Sequence, residues 1–138
     1  MQNYNGSLAV FRIERIDSEK TENKGEHHMM ENRKVAVVTG GASGIGKCIA
    51  EEFEKTGAAV CVIDLKENSY FIGDLSKQDD LHCFAGKVIA DYGHVDYLIH
   101  NAPPIMKGIQ ECGWEEFNYA LKVGVTAPFY LSKLFLPY

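Results

Sequence analysis

The segment Val35-Ala36-Val37-Val38-Thr39-Gly40-Gly41-Ala42-Ser43-Gly44-Ile45-Gly46-Lys47 constrains the fold of this chain more than any other. A β-branched apolar run meets an amphipathic helical pattern through a loop with glycines at 40, 41, 44 and 46. Glycine lets the backbone turn tightly and approach an anion with no Cβ in the way. The helix that follows directs its unpaired N–H groups and roughly +0.5 charge to the same place. Strand, glycine loop and helix in that order make a phosphate cradle, and the rest of the chain must supply the sheet that carries it.

From Lys34 onward the pattern alternates between strand and helix. Val35 to Thr39 reads as a buried strand. A first helix, from about Gly44 to Thr56, places Ile45, Cys48, Ile49 and Phe53 on one face and stops at Gly57. Ala58 to Asp64 is a second strand and Tyr70 to Gly73 a third; Ser76, with Asp79 three residues on, resembles a capping box opening a second helix. In that helix Leu81, Phe84, Ala85, Val88, Ile89 and Tyr92 recur at helical spacing before Gly93. Val95 to His100 is a fourth strand. After the Pro103-Pro104 loop a third helix runs from about Trp114 to Lys133, expected to bury Phe117, Leu121, Val125 and Phe129 and to kink at Pro128. Uniformly apolar strands separated by helices imply a parallel α/β sheet of Rossmann type with flanking helices and right-handed crossovers. One join departs from this: Leu65 to Ser69 is too short for a crossover helix, so the third strand must be short or reached by a bare connection.

Residues 1–33 read differently. Apart from Leu8 to Phe11, Ile13 and Ile16 they are polar and lack a sustained period, which predicts an extension that is disordered or loosely attached. Met30, just before the first strand, is a natural start, so residues 1–29 are also explained by a start codon placed too far upstream. The partial Rossmann domain is then 34–138.

Composition narrows the function. There is no apolar run long enough for a membrane helix and no signal-peptide pattern, so the expected location is cytoplasmic. The net charge of −5 is spread along the chain without a Lys/Arg cluster, which argues against nucleic acid as a partner. Cys48, Cys61, Cys83 and Cys112 lack C-x-x-C spacing, and the His27-His28 pair lacks further ligands, so no metal site is expected; the cysteines read as reduced packing residues.

Two nucleotide classes compete for the loop. Gly41-x-x-x-x-Gly46-Lys47-Cys48 completes a Walker A motif except at its last position, and a nucleoside triphosphatase needs a hydroxyl there to ligate magnesium. The thiol of Cys48 is a poor ligand for that hard cation. A dinucleotide site instead requires an acid closing the second strand about 20 residues on, and Asp64 stands there. Its carboxylate can accept from a ribose 2′-hydroxyl and repels a 2′-phosphate, favouring NAD over NADP. Lys66 argues the other way, whereas Ser43, inside the loop, carries no positive charge to receive a phosphate.

These residues resemble the short-chain dehydrogenase/reductase family. The spacing Gly40-x-x-x-Gly44-x-Gly46 after Thr39 is similar to the family's glycine motif. Asp74-Leu75-Ser76 resembles the segment whose Asp contacts the adenine ring. Asn101-Ala102 resembles the core of the Asn-Asn-Ala-Gly motif beside the nicotinamide ribose. The resemblance implies a cofactor site built from Thr39, Gly40, Ser43, Gly44, Ile45, Gly46, Asp64, Leu65, Asp74, Leu75, Asn101 and Ala102. It also implies an NAD-dependent oxidoreductase acting on an alcohol or carbonyl substrate.

The departures matter equally. His100 replaces the motif's first Asn and Pro103 its Gly, and Gly124 stands seven residues after Phe117 where the family has an active-site Asn. The family's Ser and Tyr-x-x-x-Lys are expected beyond Tyr138, while Tyr130 with Lys133 is spaced too closely to replace them and reads as a surface pair. The chain is therefore expected to be the cofactor-binding half of the enzyme, inactive alone, with no catalytic residue of its own. It would be truncated after the fourth strand and its following helix, leaving that strand's outer edge unpaired and Phe129, Leu131, Leu134, Phe135 and Leu136 short of packing partners. Instability, aggregation or a homo-oligomer through the last helix would follow. A non-catalytic dinucleotide-binding or interaction protein is the alternative.

Overall fold

The computed structural model describes residues 9–12 and 33–138. His27, His28 and Met30 lie outside the described residues. The elements are β1 (Ala9–Arg12), β2 (Val35–Thr39), α1 (Gly44–Lys55), β3 (Ala59–Asp64), β4 (Phe71–Ile72), α2 (Gln78–Tyr92), β5 (Tyr97–His100), α3 (Trp114–Leu121), a π-helical stretch (Lys122–Thr126) and α4 (Ala127–Phe135).

The sheet order is β1-β5-β2-β3-β4. Strands β5, β2, β3 and β4 run parallel, as the alternation of strands and helices predicts, with Val37 level with Cys61 on one side and with Leu98 on the other. The short join to β4 resolves simply. This strand is two residues long and pairs only with the end of β3, Ile63 opposite Phe71 and Asp64 opposite Ile72, so the chain has little distance to cover. Asn68 builds the turn: its Oδ1 accepts from the N–H of Tyr70 and of Phe71, and its Nδ2 donates to the carbonyls of Lys66 and Phe71.

Strand β1 lies within the segment expected to be loosely attached. It pairs antiparallel with β5, Ala9 opposite His100 and Arg12 opposite Tyr97, and so covers the edge expected to be bare. Ala9, Val10 and Phe11, apolar residues within a polar segment, belong to this strand.

Alternate strand residues feed two faces. Val35, Val37, Cys61, Ile63 and Leu98 pack with Leu81, Phe84, Ala85 and Val88 of α2 and with Val123, Ala127, Leu131 and Phe135. On the opposite face Ala36, Val38, Val62 and Ile99 meet α1 through Ala50, with Ile49 and Phe53 alongside. Two helical faces differ from expectation. In α1 the buried residues are Gly46 and Ala50, whereas Ile45 and Cys48 line an open apolar groove, because α1 is the helix that packs on this second face and leaves its flank uncovered. In the last helical run Phe117, Leu121, Val125 and Phe129 are exposed, and Ala120, Val123, Ala127, Leu131 and Phe135 are buried. Those apolar residues occupy two stripes, and the smaller side chains permit the closer approach to the sheet. Leu131 and Phe135 are fully buried despite the packing deficit expected of them.

Pro128 marks the break in that run, but the irregularity precedes it. Proline has no N–H for the carbonyl four residues back, and the wider π turn from Lys122 to Thr126 absorbs the mismatch before α4 resumes. The capping box is absent: Lys77 occupies the N-cap of α2 without a side-chain cap, and Asp80 accepts instead from the N–H of Asp74 at 2.7 Å. At the other end Gly93, with φ +75°, closes α2 as predicted.

Candidate functional site

The glycine loop stands at the carboxyl end of the parallel strands, between β2 and α1. Gly40 has φ +68°, and a Cβ there would come within 2.8 Å of the Ala102 Cα. A Cβ on Gly46 would run into the Gly40 carbonyl oxygen and the Asn101 side-chain amide. The first turn of α1 thus packs directly against the loop and the end of β5. Ser43 is the N-cap of α1 with extended backbone and makes no side-chain cap, so no side chain competes with an anion for the first N–H groups of the helix.

Buried Thr39 ties this loop to β5. Its hydroxyl accepts from the N–H of Asn101 at 3.1 Å and of Ala102 at 3.2 Å, and donates to the Ile99 carbonyl at 3.4 Å. The Asn101 side chain returns the contact, donating to the carbonyls of Thr39 and Gly40 at 3.2 and 3.1 Å. Thr39, Gly40, Gly46, Asn101 and Ala102, widely separated in sequence, are therefore one hydrogen-bonded and packed unit.

Asp64 closes the opposite side. One carboxylate oxygen accepts from the Ala42 N–H at 3.0 Å and the other from the Lys66 N–H at 2.9 Å, which fixes the carboxylate at the rim of the loop. Leu65 beside it is exposed. A contact invisible in the sequence pattern also crosses this rim: the Lys66 ammonium donates to the Ser43 hydroxyl at 2.9 Å. Asp74 accepts from the Ser76 N–H at 2.9 Å in the turn after β4, while Leu75 is buried in the core and braces that turn.

The motif departures cluster at the end of β5. His100 is 9% exposed, its Nε2 lies 3.3 Å from the Ser132 hydroxyl, and burial lowers its pKa from 6.5 to about 4. Gly124 falls in the π-helical stretch facing the loop after Ala102; a Cβ there would meet Pro104 at 3.8 Å, an ordinary contact. Tyr130 is not paired with Lys133: its hydroxyl meets Gln78 at 2.8 Å and His82 at 2.5 Å. Among the described residues no group of three or more His, Cys, Asp or Glu is placed to hold a metal. Cys61 is buried, with its thiol pushed up to about 11 by that burial, whereas Cys48 and Cys83 are exposed and so not the packing residues expected.

Residues 34–138 match the family described as short chain dehydrogenase. The chain belongs to the short-chain dehydrogenase/reductase family. It is 35% identical over 118 residues to momilactone A synthase of Oryza sativa subsp. japonica, a match covering 72% of this chain and 43% of that protein. It is 35% identical over 121 residues to xanthoxin dehydrogenase of Arabidopsis thaliana, covering 72% and 42%. The chain thus spans less than half the length of these relatives. Among solved structures it resembles a metagenomic short-chain oxidoreductase in complex with NADP, with TM-score 0.70, 30% identity and 75% of this chain on 55% of that one. A 3-ketoacyl-(acyl-carrier-protein) reductase from Brucella melitensis complexed with NADH gives TM-score 0.69 at 26% identity, over 78% of this chain and 50% of that one. Nicotinamide-dependent oxidoreductase chemistry is accordingly the family's function. No helix among the described residues is long and apolar enough to cross a membrane.

Proposed function

We propose that residues 34–138 hold the dinucleotide of an NAD-preferring dehydrogenase or reductase acting on an alcohol or carbonyl. The observation that carries this reading is the glycine cradle: the close approach at Gly46 and the α1 N-terminus without a side-chain cap leave room for a pyrophosphate and no room for a side chain. The bound nicotinamide supplies hydride transfer. The chain's own residues bind and orient: Thr39, Gly40, Ser43, Gly44, Ile45 and Gly46 around the pyrophosphate, Asp64 and Leu65 at the adenosine ribose, Asp74 and Leu75 toward the adenine, and Asn101 and Ala102 toward the second ribose.

NAD preference is supported by Asp64. Each of its oxygens accepts one backbone N–H, which fixes the carboxylate in place and leaves acceptor capacity for ribose hydroxyls. A 2′-phosphate brought to the same rim meets a fixed negative charge. Cytoplasmic location belongs to the same proposal. Residues 34–138 contain no Tyr-x-x-x-Lys, so this half positions no proton donor of the family's kind and is inactive by itself. A second copy is the expected partner, through the exposed stripe that includes Phe117, Val125 and Phe129 on the last helical run.

Affinities for NADH and NADPH, measured by fluorescence titration of the wild-type chain and of Asp64→Asn, test the preference. NADH is expected to bind at least tenfold tighter to the wild type, with the ratio collapsing in the variant. Equal affinities in the wild type would refute it. A second reading, dinucleotide binding without catalysis, is favoured by Gly124 and Pro103, neither of which supplies the polar group or backbone N–H that the family has there.

A further inference from the structure

We propose that Lys66 is a second specificity-determining residue at the dinucleotide rim, positioned by Ser43 so that its ammonium receives a 2′-phosphate and limits the preference that Asp64 imposes. The inference rests on the dinucleotide reading of the glycine loop and goes beyond it, because it gives the site a working affinity for the phosphorylated dinucleotide too. Asp64 and Lys66 are anchored to consecutive loop residues. A carboxylate oxygen of Asp64 accepts from the Ala42 N–H at 3.0 Å, and the Lys66 ammonium donates to the Ser43 hydroxyl at 2.9 Å. Consecutive Cα atoms are about 3.8 Å apart, so the rim carries an acid and a cation side by side. A ribose 2′-hydroxyl finds an acceptor there, whereas a 2′-phosphate meets repulsion from one point and attraction from its neighbour.

The backbone beneath Lys66 is held on both sides. Its N–H donates to the other Asp64 oxygen at 2.9 Å, and its carbonyl accepts from the Asn68 Nδ2 at 3.0 Å. Asn68 is fixed in turn, since its Oδ1 accepts from the N–H of Tyr70 and of Phe71. The long side chain therefore starts from a set point and is led across to the loop by one hydrogen bond. That bond uses one of the three ammonium donors and leaves two for an incoming anion. Stability does not account for the contact, because Ser43 and Lys66 are both exposed and polar contacts in solvent contribute little. Nor is the hydroxyl needed as a helix cap: Ser43 makes no side-chain cap to α1 and meets Lys66 instead. The ammonium also attracts the pyrophosphate that both dinucleotides share, so the ratio of the two affinities isolates its role where either affinity alone does not.

The test titrates the full chain with NADH and NADPH, following fluorescence, for the wild type, Lys66→Met, Lys66→Arg, Ser43→Ala and Ser43→Thr. In Lys66→Met, NADPH should weaken about fivefold more than NADH, the scale of one solvent-exposed charge contact, so the preference for NADH widens. Lys66→Arg keeps the charge and pairs with phosphate through two donors, and should hold the wild-type ratio or narrow it. Ser43→Ala should widen the ratio in the same direction by about twofold, a smaller share of the same exposed contact, and Ser43→Thr, which restores a hydroxyl, should return it to the wild-type value. Lys66→Gln replaces Lys66→Met if thermal melts show that variant unfolded. Equal weakening of both dinucleotides on loss of the Lys66 charge, or no change in either, overturns the proposal while leaving the dinucleotide reading in place. A Ser43→Ala ratio identical to the wild type overturns the positioning role of Ser43. A wild-type chain that binds neither dinucleotide overturns the proposal and the dinucleotide reading together.

Discussion

His100 should make this fold acid-sensitive in a defined window. Its imidazole is 9% exposed at the end of β5 and burial holds it neutral, with a pKa lowered from 6.5 to about 4. The unfolded chain therefore takes up the proton first, and acid favours unfolding. The contribution of this residue to stability is complete above pH 6.5 and falls steadily as pH drops to about 4. Each pH unit inside the window costs at most about 1.4 kcal/mol. The whole loss is about 2–3 kcal/mol once residual solvent contact is allowed for, a large share of a stability of ~5–15 kcal/mol. Urea denaturation at pH 7, 6, 5 and 4.5 reads it directly, because an m-value of about 1.5–2 kcal/mol/M turns that loss into a midpoint shift of about 1–2 M. The same series on His100→Asn isolates the term. Asp91 and Asp96 have lowered carboxyl pKa values and lose their contributions below the histidine window. The wild type should lose stability between pH 6.5 and 4.5 with a slope the variant lacks; parallel curves would refute the assignment.

Two further outcomes follow from the geometry. Gly46→Ala should weaken NADH binding at least tenfold and destabilise the fold by about 1–3 kcal/mol, because the added methyl collides with the Gly40 carbonyl and the Asn101 amide; titration and thermal melts check both. Gly86→Ala should stabilise, since Gly86 lies within α2 with nothing within 4 Å of an added Cβ. A gain of about 0.5–1 kcal/mol, or roughly 3–6 °C in melting temperature, is expected by differential scanning calorimetry.

Most of the parallel sheet was legible because its signals are local. The run Val35 to Thr39, the glycines of the loop and the period of Leu81 to Tyr92 each dictate an element without reference to the rest. The errors arise where tertiary partners choose between local possibilities. Phe117, Leu121, Val125 and Phe129 form one apolar stripe and Val123, Leu131 and Phe135 another; periodicity cannot say which meets the sheet, and the second does. Ser76 and Asp79 had the spacing of a capping box, but Asp80 takes the Asp74 N–H and the helix begins one residue later than that box requires. Strand β1 depends on an edge contributed by residues some ninety positions away, and no local pattern reveals that edge. At the candidate site, the position of Asp64 at the end of its strand was legible from spacing, whereas the Lys66–Ser43 contact and the Thr39 link to Asn101 required the two loops to be brought together.

Calorimetric titration of the full chain with NADH, run beside magnesium ATP, tests most directly whether the glycine loop is a dinucleotide cradle. Saturable one-site NADH binding that Gly46→Ala weakens, with ATP binding far weaker and indifferent to magnesium, is the predicted result. A chain that melts cooperatively yet binds no NADH, or binds magnesium ATP more tightly, would contradict it.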